Sequence, residues 1–139
     1  MKNSQLVSSI MSTKIIKLKK DDDLEKAEHL FKKHKIRHIP VVVGDAIIGI
    51  LSYTDLLRIS FADSLDESET EVESMVYNMF TIEQVMAKNV VSVPSTASIK
   101  EVAEILSKRE FHALPVVDDG NLVGIVTTTD LIDFLIMRL

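Results

Sequence analysis

Gly124-Ile125-Val126-Thr127-Thr128-Thr129-Asp130-Leu131 is the second appearance of a pattern that stands 75 residues earlier as Gly49-Ile50-Leu51-Ser52-Tyr53-Thr54-Asp55-Leu56. Each copy reads as an apolar strand ending in a hydroxyl-rich turn, with Asp at the opening of an apolar-periodic helix. The same offset pairs Met11 with Met86, Pro40-Val41-Val42 with Pro115-Val116-Val117, and Asp55 with Asp130, without a gap from residue 11 to residue 59. Positions that differ mostly exchange like for like, as Ile15 with Val90, Leu24 with Ile99 and Ile39 with Leu114. The chain is an internal duplication, and every other reading follows from that.

Working outward, residues 4–11 place Leu6, Val7, Ile10 and Met11 at helical spacing and predict a short entry helix. Ile15 to Leu18 predicts a strand, and Asp21 to Asp23 supply a cap and a negative first turn for a helix to about His34. Ile36 to Val43 is a β-branched strand whose Pro40 demands an edge or a break in the ladder. Gly44-Asp45 turns the chain into the strand Ala46 to Leu51, and a second helix follows. The second repeat predicts the same order: a strand at Val90 to Val93, a helix capped by Ser98 through Lys108, a strand at Ala113 to Val117, a turn at Asp119-Gly120-Asn121, a strand at Leu122 to Val126, and a last helix. The fold class is α+β, two tandem β-α-β-β-α repeats whose small sheets each need covering, so that the repeats stack sheet to sheet.

Residues 1–60 are thus the first repeat with its entry helix, 61–80 a linker, and 81–139 the second repeat. From Ile59 to Ala87 there is no Lys, Arg or His, and six acidic residues crowd the stretch from Asp63 to Glu73. Val72, Met75, Val76, Met79 and Phe80 follow at helical spacing, which reads as an amphipathic helix packed on its own domain or a surface for a partner. Thr81 is expected to cap a short helix through Met86.

Composition narrows the function. The 139 residues suffice for a real core, and with 46% apolar residues the chain is globular. Cys is absent, which excludes disulfides and thiolate metal sites and fits a reducing compartment. No stretch has the length of a membrane span and the first ten residues do not form a signal peptide, so a cytoplasmic location is expected. Residues 1–58 carry 11 Lys and Arg against 7 Asp and Glu, and residues 59–139 carry 5 against 14. Lys17, Lys19 and Lys20 are followed at once by Asp21-Asp22-Asp23, so no concentrated basic surface for nucleic acid is expected. His34 and His38 stand four apart but straddle a helix end without a carboxylate at ligand spacing, which gives no metal site. There is no nucleophile and base pair and no Gly-rich, Lys-containing phosphate loop, with four Gly in the whole chain, so an enzyme is not expected.

The candidate site is the strand-to-helix junction. Ser52-x-x-Asp55 and Thr127-x-x-Asp130 have the spacing of a capping box, which satisfies free N–H groups and needs no ligand. The same groups suit a nucleotide: hydroxyls and helix N–H groups hold phosphate oxygens, and a carboxylate accepts both hydroxyl protons of a ribose diol. Each junction keeps a second hydroxyl, Thr54 or Thr129, beyond what capping requires, which favours the ligand.

Ile39-Pro40-Val41-Val42 and Leu114-Pro115-Val116-Val117-Asp118 before the hairpins, with Gly-Ile-x-[Ser/Thr]-x-Thr-Asp-Leu after them, resemble a pair of CBS domains, a Bateman module, over about residues 6–59 and 80–138. The resemblance implies a pseudo-twofold pair with two clefts at the sheet interface, adenosine nucleotides bound in those clefts, and a homodimer. It further implies that Asp55 and Asp130 hold ribose and that Ser52, Thr54, Thr127 and Thr129 face phosphate. The family tends to place basic residues just before the Pro-Val strand. Here those positions are Arg37 and His38, against His112 and Ala113, so the first repeat is the better equipped for phosphate and the second takes a less charged ligand or none.

The function expected is a regulatory module that senses an adenosine nucleotide of the AMP, ADP or ATP type in clefts between the repeats. No cofactor is required, and the signal passes to a separate, unidentified effector protein. The alternative is a ligand-free scaffold for dimerisation or partner docking, with Asp55 and Asp130 as caps alone.

Overall fold

The computed structural model describes residues 5–63, 78–109 and 112–139, over 60–63 the backbone alone. In chain order the elements are β1 (Leu18–Lys19), α1 (Leu24–His34), β2 (His38–Val43), β3 (Ala46–Ser52), α2 (Tyr53–Asp63), α3 (Ile82–Val85), α4 (Ile99–Lys108), β4 (Ala113–Asp118), β5 (Asn121–Thr127) and α5 (Thr128–Arg138). The fold is α+β with the duplicated order expected. The amphipathic helix predicted from Val72 to Phe80 lies largely outside the described residues.

Helix starts follow local chemistry. Asp23 caps α1 by accepting from the Lys26 N–H, while Thr81 with Gln84 and Ser98 with Glu101 form complete capping boxes on α3 and α4. Lys35 ends α1 in the left-handed region at φ 54°, and its N–H reaches the Phe31 carbonyl. Both hairpins close on two residues: Val43 pairs with Ala46 across Gly44 (φ 62°), and Asp118 with Asn121 across Asp119 (φ 53°) and Gly120 (φ 82°). Positive φ in such turns matches the twist of the strands, which is why Gly and Asp stand there.

Three predicted elements are shorter than their patterns suggest, each for a backbone reason. The entry helix over 4–11 is a three-residue 3-10 turn, Val7–Ser9, between two backbone ties: the Gln5 carbonyl and Val7 N–H bond Ile99 and Ala97 at 2.9 and 2.7 Å before it, and Ser12 exchanges bonds with Ile125 at 2.8 and 3.0 Å after it. The strand over 15–18 pairs only at Leu18 and Lys19, opposite Val41 and Val42. Continuing this parallel ladder toward Ile16 would require an N–H at Pro40, which has none. The strand at Val90 to Val93 is a single bridge from Val93 to Val116, with Val93 donating to the Pro115 carbonyl at 3.2 Å and accepting from Val117 at 2.8 Å. Pro115 stops it on one side. On the other, the Ser95 N–H is captured by Asp118 Oδ1 at 2.9 Å, where the equivalent Lys20 N–H reaches the Val42 carbonyl at 3.2 Å.

The packed units are cut differently from the repeats. One consists of the described residues up to Ile15 with Val91–Leu139, the other of those within Ile16–Val90. In the second of these, Leu18, Leu24, Ile39, Leu51, Leu56 and Ile82 are fully buried around Phe31. In the first, Val7, Val102, Leu114, Val116 and Val126 play the same part. Each fully buried aliphatic side chain contributes about 1.5–3 kcal/mol. A cap contributes about 1 kcal/mol, so cores hold the units and caps decide where helices begin. The stretch that precedes each repeat therefore closes a unit with the strands of the other: Ala87 exchanges two hydrogen bonds with Ile50, as Ser12 does with Ile125.

Glycine permits this closure. A Cβ on Gly49 would run into Met86 Sδ and lie 2.9 Å from the Ala87 carbonyl oxygen, and one on Gly124 would lie 2.5 Å from Met11 Sδ, with its three nearest neighbours all in the Met11 side chain. Gly49→Ala is expected to cost about 1–3 kcal/mol in urea unfolding because a backbone atom blocks the site. Gly124→Ala is expected to cost less, since a flexible Met side chain can swing away.

Asp118 also receives the Ser95 hydroxyl at 2.6 Å, and these two bonds hold its carboxyl below the ordinary value of 3.8. A carboxylate depressed in the folded state stabilises it fully above the unfolded value, and the contribution is lost as pH falls through the folded one. The melting temperature of the native chain is therefore expected to exceed that of Asp118→Asn at pH 7, with the gap closing as pH drops below about 3.8.

Candidate functional site

Each repeat brings its predicted site residues to one corner, where the hairpin's return strand turns into the following helix. In the first repeat the Tyr53 N–H donates to the Arg37 carbonyl at 2.9 Å, and His38 stands opposite Ser52 in the sheet register. In the second, the Thr128 N–H donates to the His112 carbonyl at 3.0 Å, the Thr128 hydroxyl reaches the same oxygen at 3.4 Å, and Ala113 stands opposite Thr127. Strand pairing thus sets residues 37–38 and 112–113 beside the junctions, which no sequence spacing of 15 residues would require.

At both junctions the capping arrangement is formed. The Asp55 N–H donates to Ser52 Oγ at 3.0 Å while Asp55 Oδ2 receives the Ser52 N–H at 3.4 Å. The Asp130 N–H donates to Thr127 Oγ1 at 3.1 Å while Asp130 Oδ2 receives the Thr127 N–H at 2.8 Å. The structural explanation of these residues is therefore real, and it leaves acceptor capacity over. An ionised carboxylate offers about four lone-pair sites, and each box uses one. Thr54 and Thr129 lie exposed in the first helical turn, and their hydroxyls make no hydrogen bond among the described residues. The two helix N-termini supply the positive end of the peptide dipoles, where an anion is stabilised.

The junctions differ in one contact that the sequence reading did not include. Arg58 Nη1 donates to Asp55 Oδ1 at 3.0 Å, one helical turn along α2, with Arg58 70% and Asp55 20% exposed. The signal was available: an i,i+3 pair of opposite charge shares a helix face. Its counterpart in the second repeat is Asp133, and Asp130 Oδ1 has no partner among the described residues. Tyr53, also not singled out from the sequence, stacks at 5.3 Å and 53° on Phe31 and anchors the first junction to the α1 core. Among the described residues no group of three or more His, Cys, Asp or Glu could hold a metal ion, and no helix is long and apolar enough to cross a membrane.

Comparison with known proteins agrees with this geometry. The CBS domain family model matches residues 7–62 and again 82–137. A Methanocaldococcus jannaschii protein of uncharacterised function, MJ1426, is 29% identical, over 94% of this chain and 91% of its own. A Vibrio cholerae protein assigned to acetoin utilization (AcuB) superimposes with a TM-score of 0.81 at 30% identity, over 98% of this chain and 93% of that one. The CBS domain pair of protein MJ0100, solved in complex with 5′-methylthioadenosine and S-adenosyl-L-methionine, superimposes with a TM-score of 0.79 at 27% identity, over 99% of this chain and all of that one. Duplicated motifs, junction geometry and family match lead to one conclusion: the chain belongs to the CBS domain family and carries two such domains in tandem.

Proposed function

We propose that the chain is a regulatory module that binds an adenosine nucleotide of the AMP, ADP or ATP type at its strand-to-helix junctions and passes the binding on to a separate effector protein. The observation that carries this reading is the surplus chemistry at both junctions. Each has a carboxylate with lone pairs to spare beyond its cap, and an exposed further hydroxyl, Thr54 or Thr129, on the same helical turn. The compounds held by MJ0100 support it, since 5′-methylthioadenosine and S-adenosyl-L-methionine share an adenosine and hence a ribose diol. In this reading Asp55 and Asp130 accept the diol. Ser52, Thr54, Thr127 and Thr129 face the 5′ substituent, and Arg37, His38 and His112 border it. A ligand acts on the effector only through its different affinity for two arrangements of the chain. No catalytic role is assigned to any residue, and no cofactor is needed.

The partner surface we propose is α5. Ile132, Leu135 and Ile136 are 51%, 55% and 62% exposed, and with Leu139 they form one apolar stripe at helical spacing, while Leu131 on the other side packs into the core. Leu57, the counterpart of Ile132 on α2, is also exposed. A contiguous apolar stripe on a helix marks an association site, and a second copy of the chain presents the same stripe in return. This stripe also favours the competing reading, a ligand-free scaffold in which both carboxylates are caps alone.

Thermal-shift titration against AMP, ADP, ATP, adenosine and S-adenosyl-L-methionine separates the two. A ligand present at 100 times its dissociation constant stabilises the fold by about 2.7 kcal/mol, a clear rise in melting temperature. Asp55→Asn with Asp130→Asn keeps an oxygen for the cap and replaces the other acceptor by a donor. The double variant is expected to melt near the unliganded native chain and to lose the ligand-induced rise; an undiminished rise rejects the ribose role. For the surface, sedimentation equilibrium is expected to show a dimer for the native chain and a monomer for Leu135→Asp, with the helical content unchanged.

A further inference from the structure

We propose that the residue one helical turn beyond each junction carboxylate, Arg58 in the first repeat and Asp133 in the second, sorts adenosine ligands by charge. The first junction takes a phosphorylated ligand, and the second an uncharged or cationic one. This rests on the reading that Asp55 and Asp130 hold ribose.

The duplication puts residues 58 and 133 at the same place, three positions past the carboxylate and so on its face of the helix. In the first repeat that place holds a cation fastened at 3.0 Å to Asp55 Oδ1 by a single nitrogen, with most of its side chain in solvent. A guanidinium has five N–H donors, so this contact leaves others to face an anion. It also leaves room for the diol, because Arg58 and the Ser52 N–H together occupy two of the roughly four lone-pair sites of the carboxylate. The ligand can therefore bind beside the arginine without displacing it. In the second repeat the same place holds an exposed carboxylate, and Asp130 is without a counter-ion among the described residues. The pair Asp55 and Arg58 is formally neutral, whereas Asp130 and Asp133 carry two negative charges. The residues preceding the Pro-Val strands lean the same way, with Arg37 in the first repeat and no Lys or Arg at His112-Ala113 in the second.

Across a largely aqueous gap of several ångströms one charge changes the affinity of a phosphate a few-fold, and reversing its sign changes it about ten-fold. That is enough to divide two otherwise equivalent junctions. It would also be screened by salt, which a purely structural role for Arg58 would not be.

The test is calorimetric titration of the full chain with AMP and with adenosine, the first junction isolated by Asp130→Asn and the second by Asp55→Asn. The ratio of the adenosine to the AMP dissociation constant is expected to exceed one at the first junction and not at the second. Arg58→Asp should lower the first ratio about ten-fold and flatten the salt dependence of AMP binding, and Asp133→Arg should raise the second by a similar factor. Arg58→Gln, which adds no repulsion beside Asp55, should give an intermediate value and guards against a folding defect in the reversal. Ratios that are equal at the two junctions, or unmoved by these changes while binding persists, overturn the sorting and leave the ribose reading intact. Undiminished binding at a junction whose Asp is replaced by Asn, or no binding to the native chain, overturns the ribose reading and the sorting with it.

Discussion

A methionine lying against the backbone of a strand glycine closes each packed unit. Met86 occupies the space where Gly49 has no side chain, and Met11 does the same over Gly124. This close approach lets Ala87 bond Ile50, and Ser12 bond Ile125, through paired backbone hydrogen bonds, so an incoming segment becomes an extra edge of the hairpin. Buried Ile82 and Val7 then enter cores that would otherwise lack them. The unit that folds is therefore assembled from stretches far apart in sequence. A side chain at Gly49 would press on the Ala87 backbone and push that segment away, whereas one at Gly124 would first displace the flexible Met11 side chain.

The same economy of groups appears at the strand-to-helix junctions. A helix emerging from a strand leaves backbone N–H groups without partners, and a hydroxyl with a carboxylate three residues later satisfies two of them reciprocally. Capping fixes the carboxylate's orientation without exhausting its lone pairs. A group held in one rotamer by a bond it makes anyway costs less to order when a ligand arrives. Structural and binding roles for Asp55 and Asp130 are thus compatible, which is why spacing alone could not choose between them.

The two repeats have diverged where side-chain chemistry replaces backbone chemistry. Asp118 stands where the first repeat has Val43, and by taking the Ser95 N–H and hydroxyl it reduces a two-residue strand to a single bridge. Arg58 stands where the second repeat has Asp133, and its contact with Asp55 gives one junction a counter-ion that the other lacks among the described residues. Neither change disturbs the cores, because Asp118 ends its strand and Arg58 and Asp133 lie on exposed faces of their helices.

Much of this was legible in the linear chain. The 75-residue offset, the caps at Asp23, Thr81 and Ser98, the helices they start and the Gly44-Asp45 turn depend on groups within a few positions of each other, and local chemistry decides them. Short strands were less legible: β1 and the Val93 bridge end where Pro40 and Pro115 withhold an N–H from a partner strand, which apolar pattern does not reveal. The candidate residues were recognisable by type and spacing, and Asp55 and Asp130 by their caps. That the backbone carbonyls of Arg37 and His112 meet those junctions was decided by hairpin pairing. That residues 5–15 pack with the second repeat's strands was decided by the gap over a glycine that a methionine fills. Hydrogen bonds between near neighbours are written in sequence order, whereas close packing between distant segments exists only once the chain has folded.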